Sequence, residues 1–195
     1  MHRLGTPLLL LSLLSAGCSE RVPTELGVNA EQRMIKGGYE DVWDDGVVGI
    51  VMFGGGGLGT CSGTLISRNV VLTAQHCIAP LQNRAANDGV ACGETTFGPA
   101  YRADRIFITT EQTLPRGQLG YHAVTQVLVP EDSNQVCGND VALLILEQPM
   151  TVGDDQILTP RVDDPSTAGD QYSAIGYGAT DDQGTGSGER RRRDT

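Results

Sequence analysis

Residues 61–77 read CSGTLISRNVVLTAQHC. Thr60 to Ile66 and Asn69 to Thr73 are short, rich in Leu, Ile, Val and Thr, and separated only by Ser67-Arg68, a pattern that predicts a tight antiparallel hairpin. The second strand ends on His76, one of three histidines in the chain, directly beside Cys77. A histidine that works as a general base needs a fixed orientation, a nearby nucleophile and a carboxylate on its other ring nitrogen. A strand end supplies the first of these. A bridge from Cys77 to Cys61 on the neighbouring strand would close a loop of about sixteen residues, stabilise the chain by ~3 kcal/mol in the loop-entropy account, and stiffen the turn that aims the imidazole. The same spacing also fits an ordinary histidine next to a structural disulfide, so other parts of the chain must decide.

At 195 residues the chain is long enough for one domain with a sizeable core. Its texture is Gly-rich, with 26 glycines, and 39% apolar, with valine, isoleucine and leucine spread between turn signals rather than at helical spacing. That favours an all-β chain. A formal charge of −10, with Lys36 the sole lysine, argues against nucleic acid or an anionic membrane surface as a partner, since both need a basic face. Arg190 to Arg193 is the one basic run, and it reads as a solvated loop in an otherwise acidic chain.

Residues 1–18 have the form of an export signal: a basic start at Arg3, an apolar stretch from Leu8 to Leu14, and the small residues Ser15-Ala16-Gly17. Cys18 after Ala-Gly makes a candidate lipidation site, and membrane contact is expected only through such an anchor. Residues 19–34 are polar and aperiodic, a linker or propeptide. Of five cysteines, setting Cys18 aside leaves Cys61, Cys77, Cys92 and Cys137, an even number in an exported chain, which suggests two disulfides in an oxidising compartment. Three pairings are open on that count alone. No Cys-x-x-Cys pair supports a zinc site, and the acidic pairs Glu40-Asp41 and Asp181-Asp182 lack calcium-loop spacing, so no metal and no cofactor is expected.

Further strands are expected at Val47 to Phe53, Arg105 to Thr109, Tyr121 to Val129, Val141 to Leu146 and Gln171 to Gly176. The glycines from Gly54 to Gly57 forbid a helix between the first two strands. Residues 79 to 100 form a long loop around Cys92, and 147 to 170 an acidic connection.

The stretch 61–77 closely resembles the catalytic-histidine region of the trypsin/chymotrypsin-like serine proteases, in which a Cys-Gly-Gly-Ser-Leu-Ile strand leads to Leu-Thr-Ala-Ala-His-Cys. GNDVALLIL, residues 138–146, resembles the same family's catalytic-aspartate strand. IKGG at 35–38 is similar to its mature N-terminus, and AIGYGAT at 174–180 to the strand that opens its second barrel. The resemblance implies a double β-barrel, with the first six-stranded barrel complete and the second only begun. It makes 35–195 one peptidase domain, incomplete in its C-terminal half. His76 becomes the general base and Asp140 the carboxylate that orients it. Cys61 and Cys77 match the family's histidine-loop bridge, which leaves Cys92 and Cys137 as the second pair. Ile35 is the candidate mature N-terminus, although Met34 rather than a basic residue precedes it.

One element of the pattern is missing. The family's Gly-Asp-Ser-Gly-Gly motif, which carries the nucleophile, occurs nowhere in the 195 residues, and Ser187 in TGSGE lies too soon after the Gly-Tyr-Gly strand to replace it. The resemblance therefore implies a serine endopeptidase acting on protein or peptide substrates, exported and monomeric when complete, but inactive as this polypeptide. A non-catalytic homologue serving as a protein-binding module is the alternative.

Overall fold

Along Ala142–Leu146 the side chains alternate between buried and half-buried, the period of two that a strand gives when one face lines a core. Five other strands show their apolar faces to the same interior. The computed structural model describes residues 35–54, 57–85, 89–131, 134–181 and 183–195. The export signal at 1–18 with Cys18, and the segment 19–34, lie outside the described residues, as does Asp182.

In chain order the strands are β1 (Tyr39–Glu40), β2 (Val47–Gly54), β3 (Gly57–Ser67), β4 (Val70–Thr73), β5 (Leu81–Gln82), β6 (Thr96–Phe97), β7 (Ile106–Thr109), β8 (His122–Leu128), β9 (Ala142–Leu146), β10 (Ser173–Gly176) and β11 (Arg191–Asp194). The fold is all-β. Helical structure among the described residues is confined to single 3-10 turns at Gln75–Cys77, Ala103–Arg105 and Asp154–Gln156. Strands β2, β3, β4, β9, β8 and β7 form a closed antiparallel barrel, sealed where Ile50 of β2 lies opposite Ile108 of β7. Val48, Ile50, Leu65, Val71, Ile106 and Leu144 fill its interior. Closure leaves no free edge in this sheet.

The continuous apolar run of β2 has a separate explanation on its outer side. Val51 lies opposite Thr60 of β3 and Phe107 of β7, and Phe107 lies opposite Ala123 of β8, so these four residues form a row across the outer face. Phe53 and Phe107 meet edge to face at 5.7 Å between ring centroids, and Tyr121 extends the ladder at 6.5 Å.

The arginine run departs from expectation. Instead of a solvated loop, Arg191–Asp194 is β11, paired with β1 on one side and β10 on the other. Arg190 just before it is 1% exposed. Its guanidinium is buried among a set of acceptors. It donates to the carbonyls of Asp41 (3.3 Å), Val47 (3.3 Å) and Thr110 (3.0 Å) and pairs with Asp45 at 2.7 Å. Asp41, itself 1% exposed, lies 3.9 Å away and turns its Oδ1 to the backbone N–H groups of Trp43 and Asp44. The Glu40-Asp41 pair thus splits, with Asp41 facing the buried arginine. Arg191 pairs with Glu189, and Arg192 with Asp44 and Asp194.

Removing one partner of a buried ion pair leaves an uncompensated charge. Arg190→Ala is therefore expected to lower stability by about 3–5 kcal/mol, against about 0–1 kcal/mol for Arg161→Ala, whose pairs with Asp164 and Asp170 are solvent-exposed. Urea denaturation of the two variants measures the difference.

Candidate active site

Two strands of the barrel converge on the candidate site. In the β4–β9 register Thr73 faces Ala142, and extending that antiparallel register past the strand ends sets Gln75 opposite Asp140. The 3-10 turn Gln75–Cys77 then carries His76 over the carboxylate. Asp140 uses both oxygens on one residue: Oδ2 lies 2.7 Å from His76 Nδ1, and Oδ1 accepts the His76 backbone N–H at 2.9 Å. The double contact fixes the carboxylate against the turn and the ring at once. The His76 side chain is 4% exposed and that of Asp140 33%.

A ring nitrogen that donates to a carboxylate carries the proton, so neutral His76 has its lone pair on Nε2, the nitrogen that can accept a proton from a reacting group. Nε2 lies 3.6 Å from Cys77 Sγ. Cys77 is bonded to Cys61 of β3, with Cα atoms 5.9 Å apart, so the residue after the imidazole is tied to the neighbouring strand. Cys61, His76 and Cys77 bring potential metal-ligand atoms within 4.8 Å of one another, but both sulfurs are spent in the disulfide. The second bridge joins Cys92 to Cys137, three residues before Asp140, and ties the long loop to the turn that presents the carboxylate.

Two other sequence-selected positions fall away from the pair. Ile35 donates its backbone N–H to the Ala179 carbonyl at 2.8 Å, which places it against the Gly-Tyr-Gly stretch. Ser187 is exposed in the turn 185–188.

A link between Ser62 and Tyr177, close to the bridged Cys61, was not legible in the sequence. The Ser62 hydroxyl accepts the Tyr177 backbone N–H at 2.9 Å, and the Ser62 carbonyl accepts the Thr73 hydroxyl at 2.9 Å. A Cβ on Gly176 would stand 2.7 Å from Ser62 Oγ, so glycine is required for β10 to reach β3 here. Tyr177 is 1% exposed; burial pushes its phenol up to about 12, and the hydroxyl donates to the Glu111 carbonyl at 2.7 Å. The only signal for this link in the sequence is the Gly-Tyr-Gly spacing, which names no partner.

A closed antiparallel barrel with a carboxylate-oriented histidine on its rim, braced by a disulfide at the next residue, defines a serine-protease-like architecture. The chain belongs to the trypsin family: the family model described as Trypsin matches residues 47–192. No curated protein matches the chain. Among solved structures it is similar to two scabies mite inactivated protease paralogues. For S-D1 the TM-score is 0.59 at 16% identity, covering 82% of this chain and 61% of that one. For S-I1 the values are 0.56, 19%, 82% and 64%. A structure titled "Structure of GrC" gives 0.56 at 18% identity, with 82% and 64% covered. At these identities the likeness is one of fold. The chain spans 61–64% of the length of these structures.

The bridges differ in the chain length they enclose. From separations of 16 and 45 residues, Cys61→Ala/Cys77→Ala is expected to cost about 3 kcal/mol and Cys92→Ala/Cys137→Ala about 4 kcal/mol. Denaturant titration ranks them, and loss of the first pair, bonded at the residue after His76, should shift the NMR signals of the His76 ring more than loss of the second.

Proposed function

We propose that this chain carries the proton-handling half of a trypsin-like serine endopeptidase, one that hydrolyses peptide bonds in protein or peptide substrates with a Ser-His-Asp triad. The observation that supports it is the pair of contacts from Asp140 to His76, at Nδ1 and at the backbone N–H. In this reading Asp140 holds the imidazole in the tautomer that leaves Nε2 basic, and stabilises the imidazolium once it forms. His76 takes the proton of the attacking serine and returns it to the leaving amine. The serine is not among the 195 residues. Losing it lowers the rate by roughly 10⁶, or ~8 kcal/mol of barrier, and the backbone donors for the oxyanion are worth roughly another 10² to 10³. A polypeptide of these residues alone is therefore inactive.

The same reading makes residues 1–18 an export signal, 19–34 a linker or propeptide, and 35–195 a peptidase domain incomplete in its C-terminal half. Ile35 is the processed N-terminus and Cys18 the point of lipid attachment. Two disulfides suit an oxidising compartment, and among the described residues no helix is long and apolar enough to cross a membrane. A second reading, a non-catalytic relative that binds protein partners, draws on the fold likeness to two inactivated protease paralogues.

Two measurements separate the readings. The purified 195-residue chain is expected to hydrolyse no peptide substrate above background and to resist labelling by a fluorophosphonate. Labelling at Ser187 or any other serine would show that the nucleophile has been misplaced. Sequencing the transcript past the Thr195 codon decides the rest: an in-frame Gly-Asp-Ser-Gly-Gly stretch supports the endopeptidase, and an immediate stop supports the binding module.

A further inference from the structure

Among the described residues, one group of histidine, cysteine and acidic side chains brings three ligand atoms within 4.8 Å of one another: Cys61, His76 and Cys77. The barrel sets their arrangement. Cys61 lies on β3, Cys77 ends the 3-10 turn after β4, and their Cα atoms are 5.9 Å apart. His76 turns Nε2 towards Cys77 Sγ, at 3.6 Å, while its Nδ1 lies 2.7 Å from Asp140 Oδ2. A tetrahedral zinc ion, with Zn–N of about 2.0–2.1 Å and Zn–S of about 2.3 Å, holds a nitrogen and a sulfur ligand about 3.6 Å apart. The imidazole nitrogen and one sulfur thus already stand at the edge length of such a site.

The bridge decides whether the sulfurs can serve. Bonded to each other they are poor ligands, whereas as thiolates they are among the strongest that zinc meets in proteins. Cys61 is the more accessible of the two, half-buried against 4% exposed for Cys77. An incoming thiolate therefore attacks the Cys61 sulfur and expels the Cys77 sulfur beside the imidazole. The second thiol of a dithiol then resolves the mixed disulfide. Cys61 and Cys77 gain two electrons and two protons, and the dithiol leaves as its own disulfide. A zinc ion binding both sulfurs displaces the two protons. Asp140 acts on this site as well. A carboxylate that accepts the Nδ1 proton fixes the tautomer in which Nε2 binds metal and raises its basicity, as behind most zinc-ligating histidines.

We infer that Cys61, His76 and Cys77 form a redox-gated site for a thiophilic divalent cation such as Zn²⁺, closed while the bridge is intact and opened when a dithiol reduces it. Two sulfurs and one nitrogen come from the chain, and water completes the tetrahedron. In the peptidase reading Nε2 is the atom that accepts the serine proton, so reduction in the presence of zinc would silence the His76–Asp140 pair reversibly. Metal binding itself needs no serine. The site therefore stands or falls separately from that reading.

The test uses the full chain, reduced with dithiothreitol, desalted without oxygen, and titrated with Co²⁺ and then Zn²⁺. Cobalt is expected to give a thiolate-to-metal charge-transfer band and the ligand-field bands of four-coordinate Co²⁺, both lost when zinc displaces it. The unreduced chain should show neither. In competition with a chromophoric chelator, Zn²⁺ should bind about tenfold or more weakly in Asp140→Asn, and more weakly still in His76→Phe. Cys61→Ser/Cys77→Ser should lose the charge-transfer band, whereas Cys92→Ser/Cys137→Ser should keep it with zinc affinity within about threefold of the parent. The His76 and Asp140 variants retain every cysteine, so they carry the test where a cysteine variant fails to fold. Far-UV circular dichroism, with and without zinc, reports the barrel. Absence of the charge-transfer band, the same band in Cys61→Ser/Cys77→Ser, or unchanged affinity in both Asp140→Asn and His76→Phe overturns the inference. So does a reduced chain that unfolds and that zinc fails to refold, since the ligand geometry belongs to the barrel.

Discussion

A sheet of six short strands closes only if its ends meet, and here the join between β2 and β7 fixes the register of every pair between them. That constraint carries the candidate site. Strand β4 must pair with β9 as well as with β3, because in a closed sheet each strand has two neighbours. The β4–β9 register then leaves the chain just after β4 and the chain just before β9 on the same rim. His76 and Asp140, 64 positions apart in sequence, become neighbours through closure rather than through any local preference. The disulfide at Cys77 adds stiffness at the end of the 3-10 turn that carries the imidazole.

Arg190 does for the periphery what closure does for the barrel. Its guanidinium gathers carbonyls from the N-terminal segment, from β2 and from the end of β7, together with the Asp45 carboxylate. A cation so deeply placed is tolerable because each donor that leaves water finds an acceptor. The segment that includes β1 is thereby held against the chain beyond β10, and the three-stranded sheet β1–β11–β10 follows from that attachment.

The barrel strands were legible because each carries a period of two or an unbroken apolar run, bounded by glycine or polar turns. The expected Val47 to Phe53 strand and β2 differ by one residue. The site was legible through two motifs, since His76 next to Cys77 and Asp140 before an apolar strand are local patterns. What stayed hidden has its cause in distant partners. Four consecutive arginines have no apolar periodicity, and the groups that make them a strand and a buried clamp are backbone carbonyls and acids about 145 positions away in sequence, such as Asp45. A carbonyl leaves no trace in a sequence. The Ser62 link to Tyr177 was hidden for the same reason, because its donor is a backbone N–H. The outward side of β2 was hidden too, since an apolar run looks alike whether its second face meets the core or an outer aromatic row.

The His76–Asp140 pair owes its geometry to one barrel. Both strands that present it, the disulfide beside it and the bridge before Asp140 all fall between residues 61 and 146. The chain beyond residue 170 meets this region through Tyr177 at Ser62, one residue from Cys61, and through Arg190 at the barrel's other carbonyls. A carboxylate held by two hydrogen bonds to a single residue has little freedom left to lose, so the later part of the chain need not orient it. The pair is thus assembled by residues of this barrel. Because the contacts that fix it lie within the barrel, the pair braces the rim whatever chemistry the fold carries.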